Sequence, residues 1–85
     1  MAKLFVFTSH AQQVIRERGI ELEWIERVIR SPQRVEKDKS DARLSHHLGK
    51  IAERNSRVLH VVLDCDASPI RVITAYFDRN LRNKL

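Results

Sequence analysis

Glycine and proline are scarce, two of each in 85 residues, and neither low-complexity tracts nor internal repeats occur. That composition excludes the fibrous and disordered classes and leaves a globular chain. Cysteine occurs once, at Cys65, so no disulfide framework can form within the chain. No apolar run approaches the roughly 20 residues of a membrane span. The apolar run within Met1–Thr8 is too short for a signal peptide and has no cleavage-site pattern behind it. A cytoplasmic location with no membrane association is expected. A glycine-rich phosphate loop, a G-x-S-x-G elbow, an H-E-x-x-H pair and any zinc-type spacing are also missing, so neither a metal nor a cofactor is expected.

What is abundant is positive charge. Sixteen Lys and Arg face eleven Asp and Glu, a net charge of +5, and most of the basic residues are arginine. Arginine suits two-pronged recognition of phosphate, so RNA, another nucleic acid or an acidic protein is the natural partner. The length fits one domain spanning residues 1–85, with a short basic tail at 80–85. A domain of this size buries only about 60% of its unfolded surface, so its core is modest.

The chain is organised around Arg57–Arg79. Two β-branched and aromatic runs flank the turn-rich Asp66-Ala67-Ser68-Pro69, a hairpin pattern. In the second run Ile73, Ala75 and Phe77 share one face, while Val72, Thr74, Tyr76 and Asp78 share the other. Upstream, Lys3–Phe7 reads as a strand. Ser9 reads as the cap of a first helix, with Gln12 completing a capping box, and Gly19 as its left-handed stop. A second helix over Glu21–Arg30 buries Leu22, Ile25, Val28 and Ile29, with Trp24 at the edge, and ends before Ser31-Pro32. Gln33–Lys37 is a short extended segment. Arg43–Glu53 is a strand in which Gly49 supplies a bulge. The expected fold is α+β: two N-terminal helices packed on one face of a curved antiparallel sheet of three to four strands. The other face is left for function or for a partner, and the molecule is expected to be a monomer or a homodimer.

Phosphate-directed chemistry is the best supplied. Cleavage of RNA by its own 2′-hydroxyl needs a proton acceptor, a proton donor and cations around the phosphorane, but no metal. Candidate catalytic residues are His10, Arg43, His46 and Tyr76. Candidate nucleic-acid contacts are Arg16, Arg18, Lys50, Arg79 and Arg82. His47 neighbours His46 but points to the opposite face of its strand, so the two cannot easily chelate one ion. If the sheet is a meander, Tyr76 approaches His46 and His60. Bland roles compete throughout: His10 as part of a capped helix start, His60 as a packed sheet residue, Tyr76 as an amphipathic edge residue, Cys65 as a small hydrophobe. A module that binds nucleic acid or protein without catalysis is the alternative reading.

The order of Phe7-Thr8-Ser9-His10-Ala11, Arg16-Glu17-Arg18-Gly19-Ile20, Ser31-Pro32 and Val72-Ile73-Thr74-Ala75-Tyr76 resembles a family of small bacterial domains of unknown function. That family is similar to toxin domains of the BrnT and RelE type. The resemblance covers about Phe5–Arg79. It implies a BrnT- or RelE-like fold and a metal-independent ribonuclease of a toxin–antitoxin pair, silenced by an acidic antitoxin-like partner. It also implies that His10, Arg18, Gly19, Thr74 and Tyr76 occupy motif positions, with Arg43 on a strand that often carries a basic residue.

Overall fold

The computed structural model describes residues 5–81 and 85. The elements are β1 (Phe5–Phe7), α1 (Ser9–Arg18), α2 (Leu22–Arg30), β2 (Arg34–Lys37), β3 (Leu44–Ile51), β4 (Arg57–Asp64) and β5 (Ile70–Asp78). One 3-10 turn at Ala52–Arg54 follows β3, and another at Arg79–Leu81 follows β5.

The cap of α1 lies one residue earlier than expected. Thr8, not Ser9, is extended, and its Oγ1 accepts the Ala11 N–H at 3.0 Å. Gln12 still reaches back, donating to the Phe7 carbonyl at 3.2 Å. Gly19 ends the helix at φ 63°, where a side chain would be strained, and the Ile20 N–H returns to the Ile15 carbonyl at 3.0 Å. In α2, Trp24, Ile25 and Val28 are buried, whereas Leu22 is 59% exposed. The stripe starts later than the apolar pattern suggested, because Trp24 takes the place expected for Leu22.

The sheet corrects the expected architecture. It has five strands in the order β1-β5-β4-β3-β2 and is mixed rather than antiparallel. β1 runs parallel to β5, with Phe5, Val6 and Phe7 opposite Ile70, Arg71 and Val72. β2 adds antiparallel to β3, and β3, β4 and β5 form the meander. A three-residue strand whose partner lies more than sixty positions away carries no local signal. Pairing satisfies the backbone of β1 and covers one end of the β5 edge.

Gly49 does not form a bulge: β3 and β4 pair without interruption from Leu44↔Asp64 to Ile51↔Arg57. Space is tight there, since a Cβ would sit 3.1 Å from Val28 Cγ2. The irregularity lies instead between β4 and β5, where Val62 faces Thr74 and Leu63 faces Val72. Ile73 is the extra residue, so Val72 joins Ala75 and Phe77 on the helix side, a correction to the expected alternation. Phe5, Ala11, Ile15, Trp24, Ile25, Val28, Leu59, Val61, Leu63, Val72 and Ala75 form one core between helices and sheet.

Strand alternation then sends His46, His60, Tyr76 and Asp78 to the face away from the helices. Cys65 is exposed in the turn after β4, not packed as a hydrophobe. Among the described residues no helix is long and apolar enough to cross a membrane.

Candidate functional site: an arginine cleft beside a histidine pair

The register Val58↔Asp78 brings the start of β4 against the end of β5. The 3-10 turn after β3 and the last turn of α1 meet the same end of the sheet. They enclose a cleft of about 730 Å³ lined by Arg18, Arg54, Arg57, Tyr76, Phe77, Asp78 and Arg79. Its volume is within the usual range of small-ligand sites.

Two of the four guanidiniums are held by means other than acids. Arg18 donates from Nη1 to the Ala75 carbonyl at 2.7 Å. Arg54 lies over the rings of Trp24 and Phe77, 5.7 and 5.1 Å from their centroids. Among the described residues none of the four forms an ion pair. Arginines elsewhere do: Arg27 with Glu23 and Glu53, Arg30 with Glu26, Arg34 with Glu36, Arg43 with Asp41. The cleft thus carries four guanidiniums against the single carboxylate of Asp78, an excess of positive charge.

Behind Tyr76 runs a chain of acids and imidazoles. His46 Nε2 is 2.8 Å from Asp38 Oδ1, His46 Nδ1 is 2.6 Å from His60 Nε2, and His60 Nδ1 is 3.1 Å from Asp78 Oδ2. His60 stands directly opposite Tyr76 in register, and the rings stack at 4.7 Å. His46 and His60 are diagonal neighbours across β3 and β4, as are His60 and Asp78 across β4 and β5, so long side chains span the gaps. The chain thus crosses the open face from the turn after β2 to the end of β5. Hydrogen bonding by His46 and the backbone of Ser40 and Asp41 holds Asp38 below the usual carboxylate range. Burial pushes His60 down, with the Asp78 hydrogen bond opposing it, and pushes the Tyr76 phenol up.

The expected site residues divide. Tyr76, Arg18 and Arg79 meet in the cleft, and His46 lies one imidazole away. His10 is exposed in the first turn of α1, at the opposite end of that helix from Arg18. Arg43 is engaged by Asp41 through two hydrogen bonds, at 3.1 and 2.8 Å. Arg16 and Lys50 are exposed and do not line the cleft. Arg82 lies outside the described residues. The four expected catalytic residues are therefore not assembled in one place. Arg54, Arg57, Asp38 and Asp78 went unassigned in the sequence. Only their register neighbours give them away, although Asp78 shares the Tyr76 parity.

His47 faces α2, and its Nδ1 is buried without a partner among the described residues. Among those residues no group of three or more His, Cys, Asp or Glu side chains is arranged to hold a metal ion.

No curated protein and no solved structure matches the chain. A protein family does match, described only as a domain of unknown function, and nothing in that match ties the chain to BrnT or RelE toxins. The match runs through residues 7–77, from the end of β1 to the Phe77 of the cleft, so the fold and most of the site lie inside it, and the chain belongs to the DUF4258 family.

Proposed function

We propose that the cleft binds the sugar–phosphate backbone of RNA and that the domain is a metal-independent ribonuclease of the toxin type, acting in the cytoplasm. One observation carries this reading: four arginines outside any ion pair among the described residues line one cleft together with a phenol. In the reaction the 2′-hydroxyl attacks the adjacent phosphorus and gives its proton to solvent water, a 2′,3′-cyclic phosphate forms, and the 5′-oxygen leaves with the Tyr76 proton, which water then replaces. Guanidiniums at Arg18, Arg54, Arg57 and Arg79 would hold the phosphate and offset the extra charge of the phosphorane. Tyr76, kept protonated by burial, would donate to the departing 5′-oxygen. An acidic segment of an antitoxin-like partner fits the same cleft by charge and would silence it by occupying it.

A second reading is favoured by a specific observation. Both imidazoles are saturated by each other and by Asp38 and Asp78, so neither offers a free nitrogen to a substrate. In that reading the cleft binds RNA without cutting it. The two are separated by incubating single-stranded RNA with the protein in excess chelator and resolving the ends produced. Cyclic phosphate ends that vanish with Tyr76→Phe, while RNA affinity persists, support the ribonuclease. Intact RNA that is bound tightly supports the binding module.

A further inference from the structure

The proton count of the Asp38–His46–His60–Asp78 chain is fixed by its geometry. Two nitrogen lone pairs cannot face each other at 2.6 Å, so a proton lies between His46 Nδ1 and His60 Nε2. Asp38 is an acceptor, so His46 Nε2 carries a second proton. The hydrogen bond between His60 Nδ1 and Asp78 Oδ2 needs a third. Two neutral imidazoles supply only two protons. The chain therefore holds one more, a single positive charge set between two carboxylates.

We propose that His46 and His60 are positioning residues for the arginine cleft, and that its anion-binding form requires the proton they share. This rests on the phosphate-binding reading of the cleft. With the proton in place, His60 is pinned on both nitrogens. It then fixes the Tyr76 ring by stacking and the Asp78 carboxylate by hydrogen bonding, and both groups line the cleft.

Removing the proton has two consequences. Two protons then serve three contacts, so one of them, ring to ring or ring to carboxylate, sets lone pairs face to face and loosens the hold of His60 on Tyr76 and Asp78. The net charge of the chain also goes from −1 to −2, beside a cleft whose ligand is an anion. Other charged groups facing the pair are Glu36 on β2 with Lys37 and Lys39 at its end, and Arg79 beyond Asp78. Burial of His60 opposes the retained proton most strongly, whereas Asp78 and Glu36 favour it. The helices lie behind the sheet and add no group to the pair. Binding must therefore weaken as pH rises, the direction in which the shared proton leaves.

The test combines a proton inventory with an affinity profile. Histidine ring N–H correlations are recorded on the nitrogen-labelled protein from about pH 5 to 9, the range over which imidazoles titrate. In parallel, affinity for a labelled single-stranded RNA is measured at fixed salt. Three ring protons on the pair at the acid end, one fewer after raising pH, and a roughly tenfold fall in affinity over the same step are expected, the size of one unit charge acting across a partly solvated gap. His46→Gln, which can bridge Asp38 and His60 without titrating, should fold and abolish the step. Two ring protons throughout, an affinity flat across the step, or a step retained in His46→Gln would overturn the proposal. If wild type binds no RNA at any pH, the phosphate-binding reading fails on its own. The Tyr76 ring resonances then decide the positioning: movement with the histidine step supports it, and fixed resonances overturn it.

Discussion

His46 and His60 sit 14 positions apart, yet their ring nitrogens approach to 2.6 Å because β3 and β4 pair without a bulge and place them on one diagonal. Their hydrogen bond joins the two ends of the open sheet face. His60 is only 7% exposed, so its nitrogens depend on protein partners. Replacing His60 with Leu should cost roughly 1–3 kcal/mol, because Nδ1 of His46 is left unpaired on a half-buried face. A cycle with His46→Leu should be clearly non-additive in chemical denaturation, the double variant costing less than the sum of the singles. Additive losses would show that the two rings do not bond.

Gly49 and Val28 meet where α2 crosses β3. A Cβ on residue 49 would sit 3.1 Å from Val28 Cγ2, so Val28 must give way, and a branched side chain adds to the crowding. Gly49→Val should destabilise the fold by about 1–3 kcal/mol through overpacking. Adding Val28→Ala should recover part of that stability, which urea denaturation of the three variants would measure.

Arg27 and Glu53 tie α2 to the turn after β3 with two hydrogen bonds, at 3.0 and 2.9 Å. Hydrogen bonding to Arg27 holds the Glu53 carboxyl at about 2, against an ordinary 4.5. A depressed carboxylate contributes its stability above the unfolded value and loses it as pH falls toward the folded one. Between pH 4.5 and about 2 the wild type should therefore lose more stability than Glu53→Gln. Thermal melts over that window would show the difference. Identical slopes would mean that the pair is broken in solution.

The local elements were legible because their signals are local. Gly19 at a left-handed stop, the stripe of Ile25 and Val28, and the β-branched runs of β4 and β5 each announce themselves within a few residues. Parity alone set Tyr76 and Asp78 on one face. What could not be read depended on distant pairing. The parallel partnership of Phe5–Phe7 with Ile70–Val72 has no signature within a three-residue strand. The extra residue Ile73 turns Val72 inward, and nothing in a run of β-branched residues marks it. Arg54 and Arg57 look like ordinary turn charges until the register sets them beside Asp78. His10 and Arg43 were attractive by residue type, but the fold leaves one at the far end of α1 and engages the other with Asp41.

If the arginines of the cleft form the proposed phosphate site, the salt dependence of RNA binding must show it. Affinity for a single-stranded RNA would be measured against salt for wild type, for Arg57→Ala in the cleft and for Arg30→Ala in the ion pair with Glu26. If the cleft holds the backbone, Arg57→Ala weakens binding and flattens the slope of log affinity against log salt by about 0.7 for each phosphate that is no longer neutralised. Arg30→Ala should leave both unchanged. Equal weakening in the two variants, or no binding by wild type, would show that the cleft is not a phosphate site.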